Sequence, residues 1–252
     1  MTYELQNRTA VITGAASGIG AATAELLAAA GARVALLSRR RDRLDDVAAK
    51  IEAAGGVALA VPVDITDPAS VRSAADRVTA AFGPADLVVN AAGVMLPNPI
   101  GDGREDEWTR MIDTNLTGTL RIIREFLPGL RAAAAEGRPA DLVNVSSIAA
   151  HVPFPAFAVY AATKAGVTQL STALRPELGA EMVRVTNIEP GLTDTELSGH
   201  IDNPDIHGRV GEMYQALPAL SARDVADLVA YTVSRPRHVN LRQLIVLPTP
   251  QA

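Results

Sequence analysis

The sequence contains no cysteine among its 252 residues. Disulfide bonds, thiol catalysis and cysteine metal sites are therefore excluded. The four histidines, His151, His200, His207 and His238, do not follow the spacing of metal ligands, so no metal site is expected.

Long apolar runs and long basic runs are also lacking. No stretch reaches membrane-spanning length, and the first residues lack the apolar core of a signal sequence, so we expect a cytoplasmic protein with no membrane partner. The longest basic run is Arg39–Arg41 and the formal net charge is −5, so no nucleic-acid partner is expected. A hydrophobic content of 48% fits one large domain over residues 1–252, although the length also allows two small ones.

Short apolar segments alternate with amphipathic ones along the chain. Candidate strands lie at 9–12, 33–37, 59–63, 87–90, 141–145, 183–188 and 243–247. Candidate helices lie at 21–30, 42–54, 68–82, 105–134, 158–180 and 221–234. The alternation predicts an α/β fold of the Rossmann-like, doubly wound type, with a mostly parallel seven-stranded sheet and helices on both faces. Sites in such sheets lie beyond the carboxyl ends of the strands.

A glycine-rich turn joins the first strand to the first helix. Gly14, Gly18 and Gly20 let the backbone approach a pyrophosphate, and the helix N-terminus that follows, with Ile19, favours its negative charge. The spacing differs from the usual G-x-G-x-x-G, and a plain tight turn is the alternative. The strand, helix and second strand around the turn favour a dinucleotide site.

The end of the second strand predicts which dinucleotide binds. Carboxylates at this position usually bind the ribose hydroxyls of NAD, whereas the 2′-phosphate of NADP requires a cation. Here the strand ends in Ser38, Arg39 and Arg40. We therefore expect NADP (NADPH), with Arg39 as the main phosphate contact, assisted by Ser17, Ser38 or Arg40. The alternative is that these arginines merely begin a solvated helix.

Tyr160 and Lys164 lie four residues apart, so on a helix their side chains project from one face. A nearby cation favours the phenolate, so Lys164 is predicted to lower the pKa of Tyr160 from its ordinary value of about 10. A tyrosine adjusted in this way can act as a general acid or base. Alternatively, the two residues simply share a surface helix.

With these motifs the sequence resembles the short-chain dehydrogenase/reductase family. The matching positions run in the family's order from residue 9 to residue 195: Thr13, Gly14, Gly18, Gly20, Asp64, Ile65, Asn90, Gly93, Asn115, Ser147, Tyr160, Lys164, Pro190, Gly191 and Thr195. Ala91 departs from the family's usual Asn-Asn pair, but the following Ala-Gly still permits a close backbone. Segments 108–115, 188–197 and 247–251 resemble a subgroup that includes NADP-dependent hydroxy-acid dehydrogenases and clavulanate-type aldehyde reductases.

The resemblance implies hydride transfer between nicotinamide and a small-molecule carbonyl or alcohol substrate. Tyr160 would exchange the proton, Ser147 would hold the substrate oxygen, and Asn115 would support a water-linked proton relay. Lys164 would also anchor the nicotinamide ribose. The resemblance further implies a homo-oligomer, a dimer or tetramer, formed through helices 105–134 and 158–180 and strand 243–247.

The same resemblance assigns further cofactor contacts. Asp64 would accept a hydrogen bond from the adenine, with the Ile65 amide beside it. Thr195 would hold the carboxamide, with Thr193 nearby, although a simple helix cap explains Thr195 equally well. The remaining expected contacts are Asn90, Ala91, Gly93, Pro190 and Gly191.

The substrate side of the predicted site is less specific. Residues 192–216 are polar and rich in turn formers, which predicts a mobile substrate-binding lid. His151 either lines the pocket or faces solvent. The pocket candidates, each of which could equally be plain core, are Met95, Val152, Phe154, Phe157 and Leu192.

Two other functions fit the same motifs. A non-catalytic dinucleotide sensor is possible on this fold, but a sensor need not retain Tyr160 and Lys164. A non-redox lyase, epimerase or dehalogenase is also possible, but the complete set of Ser147, Tyr160 and Lys164 with an intact glycine turn favours hydride transfer.

Overall fold

A computed structural model describes residues 3–251 of the chain. The strands are β1 Thr9–Thr13, β2 Arg33–Ser38, β3 Val57–Pro62, β4 Leu87–Asn90, β5 Asp141–Val145, β6 Arg184–Pro190, β7 Thr193–Asp194, β8 Leu220–Ser221 and β9 Gln243–Val246. The helices are α1 Gly18–Ala29, α2 Arg41–Ala53, α3 Pro68–Phe82, α4 Glu105–Met111, α5 Thr119–Ala135, α6 Ala158–Gly179, α7 Pro204–Ala216 and α8 Ala222–Val233. None of these helices is both long enough and apolar enough to cross a membrane.

The main sheet has seven parallel strands in the order β3-β2-β1-β4-β5-β6-β9. One apolar cluster packs α1, α2 and α8 on one face of the sheet, and a second packs α3, α5 and α6 on the other. Strand residues are therefore buried on both sides, as their continuous apolar runs require. The predicted doubly wound sheet is confirmed.

Local signals explain where several helices begin. Asp67 caps α3 by accepting hydrogen bonds from the amides of Ala69 and Ser70, and Pro68 occupies the first turn, where no amide is needed. Asn203 and Pro204 start α7 in the same way. These caps satisfy backbone amides that have no partner within the helix.

The structure differs from the predicted elements in two places. The helix predicted at 105–134 is interrupted, because a π-helical segment at Ile112–Gly118 separates α4 from α5. The predicted irregular stretch 192–216 contains a 13-residue helix, α7, and the short strand β7, which pairs with β8. The polar composition of this stretch hid the helix, whose apolar residues Ile206 and Val210 are buried.

A buried ion cluster joins the amino ends of the central strands. Arg8, just before β1, donates to Asp86 over 2.6 Å and to Asp141 over 2.8 Å. Arg184, at the start of β6, binds both oxygens of Asp141. All four side chains are at most 7% exposed, so each charge there is balanced within the protein.

Candidate active site

A cavity of about 390 Å³ opens at the carboxyl edge of the sheet. Loops that follow β1 to β6 contribute its walls, as expected for a parallel sheet. The predicted site residues that line it are Gly14, Ser17, Gly18, Ile19, Gly20, Ser38, Arg39, Arg40, Asp64, Ile65, Ala91, Gly93, Ser147, Tyr160, Lys164, Pro190, Gly191, Thr193 and Thr195. The fold thus brings nearly the whole predicted set into one space.

The glycine turn is packed against the loop after β4. Gly14 has a φ of +69°, and a Cβ there would lie 2.9 Å from the backbone of Ala91. A Cβ on Gly20 would collide with the carbonyl oxygen of Gly14. The hydroxyl of Thr13 accepts hydrogen bonds from the amides of Ala91 and Ala92, each over 3.1 Å. Because this contact uses backbone amides, it does not depend on the side chain at position 91.

The two arginines after β2 have different surroundings. Arg40 donates to the hydroxyl of Ser17 over 2.8 Å and forms an ion pair with Glu196, also over 2.8 Å. The exposed Arg39 has no hydrogen-bond or ion-pair partner within residues 3–251. Arg39 therefore has its full set of donors available, whereas Arg40 closes the rim of the cavity between α1 and the segment after β7.

Asp64 lies in a turn after β3 that preserves its negative charge. Its Oδ1 accepts hydrogen bonds from the amide of Thr66 over 2.9 Å and from the Thr66 hydroxyl over 2.7 Å. Burial acts to raise the pKa of Asp64, but these bonds and the charges of Arg39 and Arg121 outweigh it, so the pKa is lowered.

Tyr160 lies on α6 with its side chain almost fully buried at the cavity wall. Burial raises its pKa to about 12, and a hydrogen bond from Ser147 opposes that rise. The prediction that Lys164 lowers this pKa is wrong for this structure, because the Lys164 ammonium lies 5.8 Å from the centre of the phenol ring and makes its contact elsewhere. Tyr160 is held as a neutral phenol.

Lys164 is buried, and no carboxylate forms an ion pair with it within the described chain. Its ammonium donates to the carbonyl oxygen of Val145, at the end of β5, over 3.0 Å. The hydroxyl of Ser146 donates to the Lys164 carbonyl over 2.8 Å. Burial lowers the pKa of Lys164 to about 8. Two of its three donors have no hydrogen-bond partner within residues 3–251.

Two predicted residues lie behind the cavity and do not line it. Asn115, in the π-helical segment, accepts from the Val94 amide over 2.8 Å and donates to the Val94 carbonyl and to the hydroxyl of Thr163. It thereby fixes the loop after β4. Asn90 donates to Asn144 over 2.9 Å in the buried sheet, and its Oδ1 has no hydrogen-bond partner within residues 3–251. Thr163 carries no sequence signal of its own.

The segment after β6 forms the floor and far rim of the cavity. The Thr193 hydroxyl donates to the carbonyl of Gly191 over 2.9 Å, and the Thr195 hydroxyl accepts the Leu197 amide over 3.4 Å, as a helix cap does. Gln251, which the sequence did not indicate, accepts from the amide of Leu192 over 2.8 Å. The C-terminal residues thus hold this rim in position.

The opposite end of the cavity is apolar. Of the predicted pocket residues, Met95, Phe154, Phe157 and Leu192 line it, whereas Val152 is exposed and does not. Val152 follows the short helix Ile148–Ala150 and points to solvent because the chain turns outward there. Helix α7 adds three residues that the sequence reasoning missed: Val210, Met213 and Tyr214. Their i, i+3, i+4 spacing is the signal that could have found them.

His151 does not line the cavity. Its Nε2 lies 2.9 Å from Oε2 of Glu189, a fully buried carboxylate that also accepts from Thr168, Asn187 and Gln243. The Thr168 hydroxyl also lies 3.0 Å from the hydroxyl of Ser146. This network, which crosses β6 and α6, anchors the Ser147 loop from behind. It was not predicted, because its members are dispersed along the chain.

Comparison with known proteins agrees with this geometry. The family model for short chain dehydrogenase matches residues 8–205. An uncharacterised oxidoreductase of Staphylococcus saprophyticus is 35% identical over 97% of this chain and 99% of its own. Sulfoacetaldehyde reductase 2 of Chromohalobacter salexigens is 38% identical over 96% of this chain and 94% of its own.

Solved structures share the fold along nearly the whole chain. The closed form of serine dehydrogenase complexed with NADP+ superimposes with a TM-score of 0.89 at 31% identity, covering 97% of this chain and 96% of its own.

Within residues 3–251 no group of three or more acidic or histidine side chains is arranged to hold a metal ion.

Proposed function

Because the chain belongs to the short chain dehydrogenase family, we propose that it is an NADP(H)-dependent oxidoreductase that interconverts a carbonyl and an alcohol. The observation that carries the proposal is the single cavity shared by the glycine turn and by the hydroxyls of Ser147 and Tyr160. A dinucleotide bound at the turn and a substrate bound at the hydroxyls would therefore meet.

The residues at the turn fit a dinucleotide. A Cβ at Gly14 or Gly20 would fill the space next to the turn, so the chain keeps glycine where a pyrophosphate needs close backbone. The N-terminus of α1, with Gly18 and Ile19, presents free amides to that charge. A relative in the same fold is described with NADP+ bound, which supports the same cofactor here.

Arg39 supports NADP over NAD. Its guanidinium lies beside Ser38 without a partner in residues 3–251, and it can bind a 2′-phosphate in bidentate fashion. Arg40 is held by Ser17 and Glu196, so we assign it the secondary role. Asp64 keeps its charge and is assigned to the adenine, with the Ile65 amide beside it.

Bound NADPH supplies the hydride for the carbonyl carbon. Tyr160 gives its phenol proton to the carbonyl oxygen, and Ser147 donates a hydrogen bond to the same oxygen. With NADPH bound, its hydride and the Tyr160 proton would together convert C=O to CH–OH and leave NADP+. Because burial keeps the phenol protonated near neutral pH, Tyr160 serves as the acid of the reduction direction.

The other predicted residues support these two groups. Lys164 is assigned to the ribose, which it would hold through its remaining donors. Asn115 fixes the loop that carries Gly93 and Val94, and it belongs to the proton-relay side of the site. Thr193, Thr195, Pro190, Gly191 and Ala91 are assigned to the nicotinamide end of the cofactor.

Residues 192–216 are assigned the role of a substrate-binding lid. On the cofactor side this segment contacts the rest of the cavity through the exposed Arg40–Glu196 ion pair and the approach of Gly18 to Thr195. Surface ion pairs contribute little stability, so opening on the cofactor side costs little, whereas the buried Ile206 and Val210 hold α7 in place.

An assembly contact follows from an apolar groove between the π-helical segment and α6. Ile112, Leu116, Val159 and Ala162 line a shallow groove at the surface, and Ile112 is 44% exposed. We assign this face, together with the exposed edge strand β9, to a homo-oligomer of two or four chains. A light-scattering mass near 26 kDa at micromolar concentration, the monomer value, would contradict it.

Steady-state oxidation of NADPH with a panel of aldehydes and ketones tests the activity. We expect carbonyl-dependent NADPH consumption and one equivalent of alcohol for each NADPH consumed. Binding of NADPH without turnover of any carbonyl would favour the non-catalytic sensor. Conversion of a substrate without net change in the cofactor would favour a lyase or epimerase.

A further inference from the structure

An aromatic wall leads along the cavity to the proposed proton donor. The rings of Phe154 and Phe157 lie 6.1 Å apart, and those of Phe157 and Tyr160 lie 6.3 Å apart in an edge-to-face arrangement. Such contacts hold aromatic rings in fixed relative positions. A substrate whose carbonyl reaches the Tyr160 hydroxyl must therefore lay its adjoining group near this wall.

Helix α7 covers the wall with further apolar groups. Val210, Met213 and Tyr214 line the cavity from that side, and Met95 and Phe157 pack against the same helix. The Tyr214 hydroxyl donates to the carbonyl of Thr193 over 2.8 Å, so its one donor is occupied. The side chains on both sides of the aromatic end of the cavity are thus mainly apolar.

Cations among the described cavity residues are placed elsewhere. Arg39 and Arg40 line the far end beside Ser17, and Lys164 lies next to Tyr160 with its ammonium bonded to Val145. Within residues 3–251, no arginine or lysine side chain lies over the ring of Phe154 or Phe157. A carboxylate or sulfonate bound there would lose its water without gaining a charge partner.

His200, at the rim, does not supply the missing charge. Partial burial lowers its pKa, and so do the charges of Arg110, Arg40 and Arg39. These effects favour the neutral ring over the charged one at pH 7.

We propose that the substrate is a neutral aldehyde or ketone with an alkyl or aryl group next to the carbonyl, held between the Phe154–Phe157 wall and α7. This inference rests on the proposed carbonyl reduction and adds the chemical class of its substrate. It separates this chain from a relative named for sulfoacetaldehyde, an anionic aldehyde.

The test compares matched aldehydes with NADPH in excess. We expect kcat/KM for 3-phenylpropanal to exceed that for 4-oxobutanoate by at least about a hundredfold, since a desolvated, unpaired carboxylate is strongly disfavoured. Along the straight-chain alkanals, kcat/KM should rise by about fourfold per methylene until the cavity is filled. A binding readout supports the same comparison: methyl 4-oxobutanoate should raise the melting temperature of the NADP+-loaded protein more than 4-oxobutanoate does.

A variant pair shows whether α7 sets the preference. In Met213→Arg, the value of kcat/KM for 4-oxobutanoate divided by that for 3-phenylpropanal should rise by about tenfold or more. The reason is that the arginine adds a cation on α7, opposite the aromatic wall. Met213→Gln, polar but uncharged, should leave that ratio within about threefold of its wild-type value.

The outcomes separate the two proposals. Equal or better turnover of 4-oxobutanoate by the wild type would overturn the substrate class while leaving carbonyl reduction standing. An unchanged ratio in Met213→Arg would overturn the role of α7 in the preference. Turnover of no carbonyl at all, with NADPH binding intact, would overturn the proposed function and the substrate class together.

Discussion

At the amino edge of the sheet, Arg8 is held between Asp86 and Asp141, and Arg184 binds Asp141 through two hydrogen bonds. At the carboxyl edge, Lys164 is buried just as completely, yet its contact is the carbonyl of Val145. The same sheet therefore compensates its buried charges at one edge and leaves one uncompensated at the other.

This difference distinguishes paired charges that hold the fold together from an unpaired charge whose pKa is shifted. A buried ion pair with satisfied hydrogen bonds holds the strands in one arrangement, and breaking it exposes an uncompensated charge. Burial without a charge partner shifts pKa values instead, lowering that of Lys164 to about 8 and raising that of Tyr160 to about 12. Such shifts concentrate where a protein handles protons.

The largest expected effect is on turnover at the carboxyl edge. Tyr160→Phe keeps the ring and removes the hydroxyl, so kcat for carbonyl reduction should fall by roughly two to four orders of magnitude, with NADPH affinity nearly unchanged. Steady-state kinetics and fluorescence titration of NADPH measure both quantities. Tyr231→Phe, the same change on α8, is the control. Near-normal kcat in Tyr160→Phe would remove Tyr160 from the mechanism.

A loss of comparable size is expected at the amino edge, but there it concerns the free energy of unfolding. Asp141→Ala leaves Arg8 and Arg184 buried without their shared carboxylate, so the free energy of unfolding should drop by about 3–5 kcal/mol. Urea unfolding measures this. Asp45→Ala, which breaks an exposed ion pair with Arg41, should cost under about 1 kcal/mol. Equal losses in the two variants would show that the buried cluster has no special structural role.

A smaller effect is expected on the preference for NADPH over NADH when Arg39 is changed. Arg39→Ala should weaken NADPH binding by roughly ten- to a hundredfold and leave NADH almost unchanged, because NADH has no 2′-phosphate. Arg43→Ala, an exposed arginine on α2, is the control. Adding Ser38→Asp should reverse the preference, since a carboxylate accepts from ribose hydroxyls and repels phosphate. If the NADPH to NADH ratio of kcat/KM stays the same in Arg39→Ala, its assignment fails.

The smallest effect is a pH dependence of stability from Lys164. Its pKa is about 8 in the folded protein and 10.5 ordinarily, so between these values the unfolded chain binds more protons and stability rises with pH. From about pH 7.5 to 9.5 the wild type should gain on the order of 1–2 kcal/mol relative to Lys164→Met. Lys50→Met, which changes the exposed lysine of α2, should follow the wild type. Parallel pH profiles for wild type and Lys164→Met would contradict an uncompensated charge.

The features that could be predicted from the sequence are those that depend on residues close together along the chain. Alternating apolar segments indicated the parallel sheet, because strands buried on both faces are continuously apolar. The glycines at 14 and 20 marked the turn, because a side chain there would collide with backbone close by in the fold. Tyr160 and Lys164 were linked by helical spacing alone.

The tertiary structure decided the pKa shifts and the long-range contacts of those residues. Lys164 was predicted to lower the pKa of Tyr160, but burial raises the pKa of Tyr160 and lowers that of Lys164, whose ammonium donates to the carbonyl of Val145. Likewise, the contact of Arg40 with Glu196, and with it the distinction between the two arginines, joins segments more than 150 residues apart. Spacing along a chain determines local geometry, whereas desolvation and long-range partners exist only once the chain has folded.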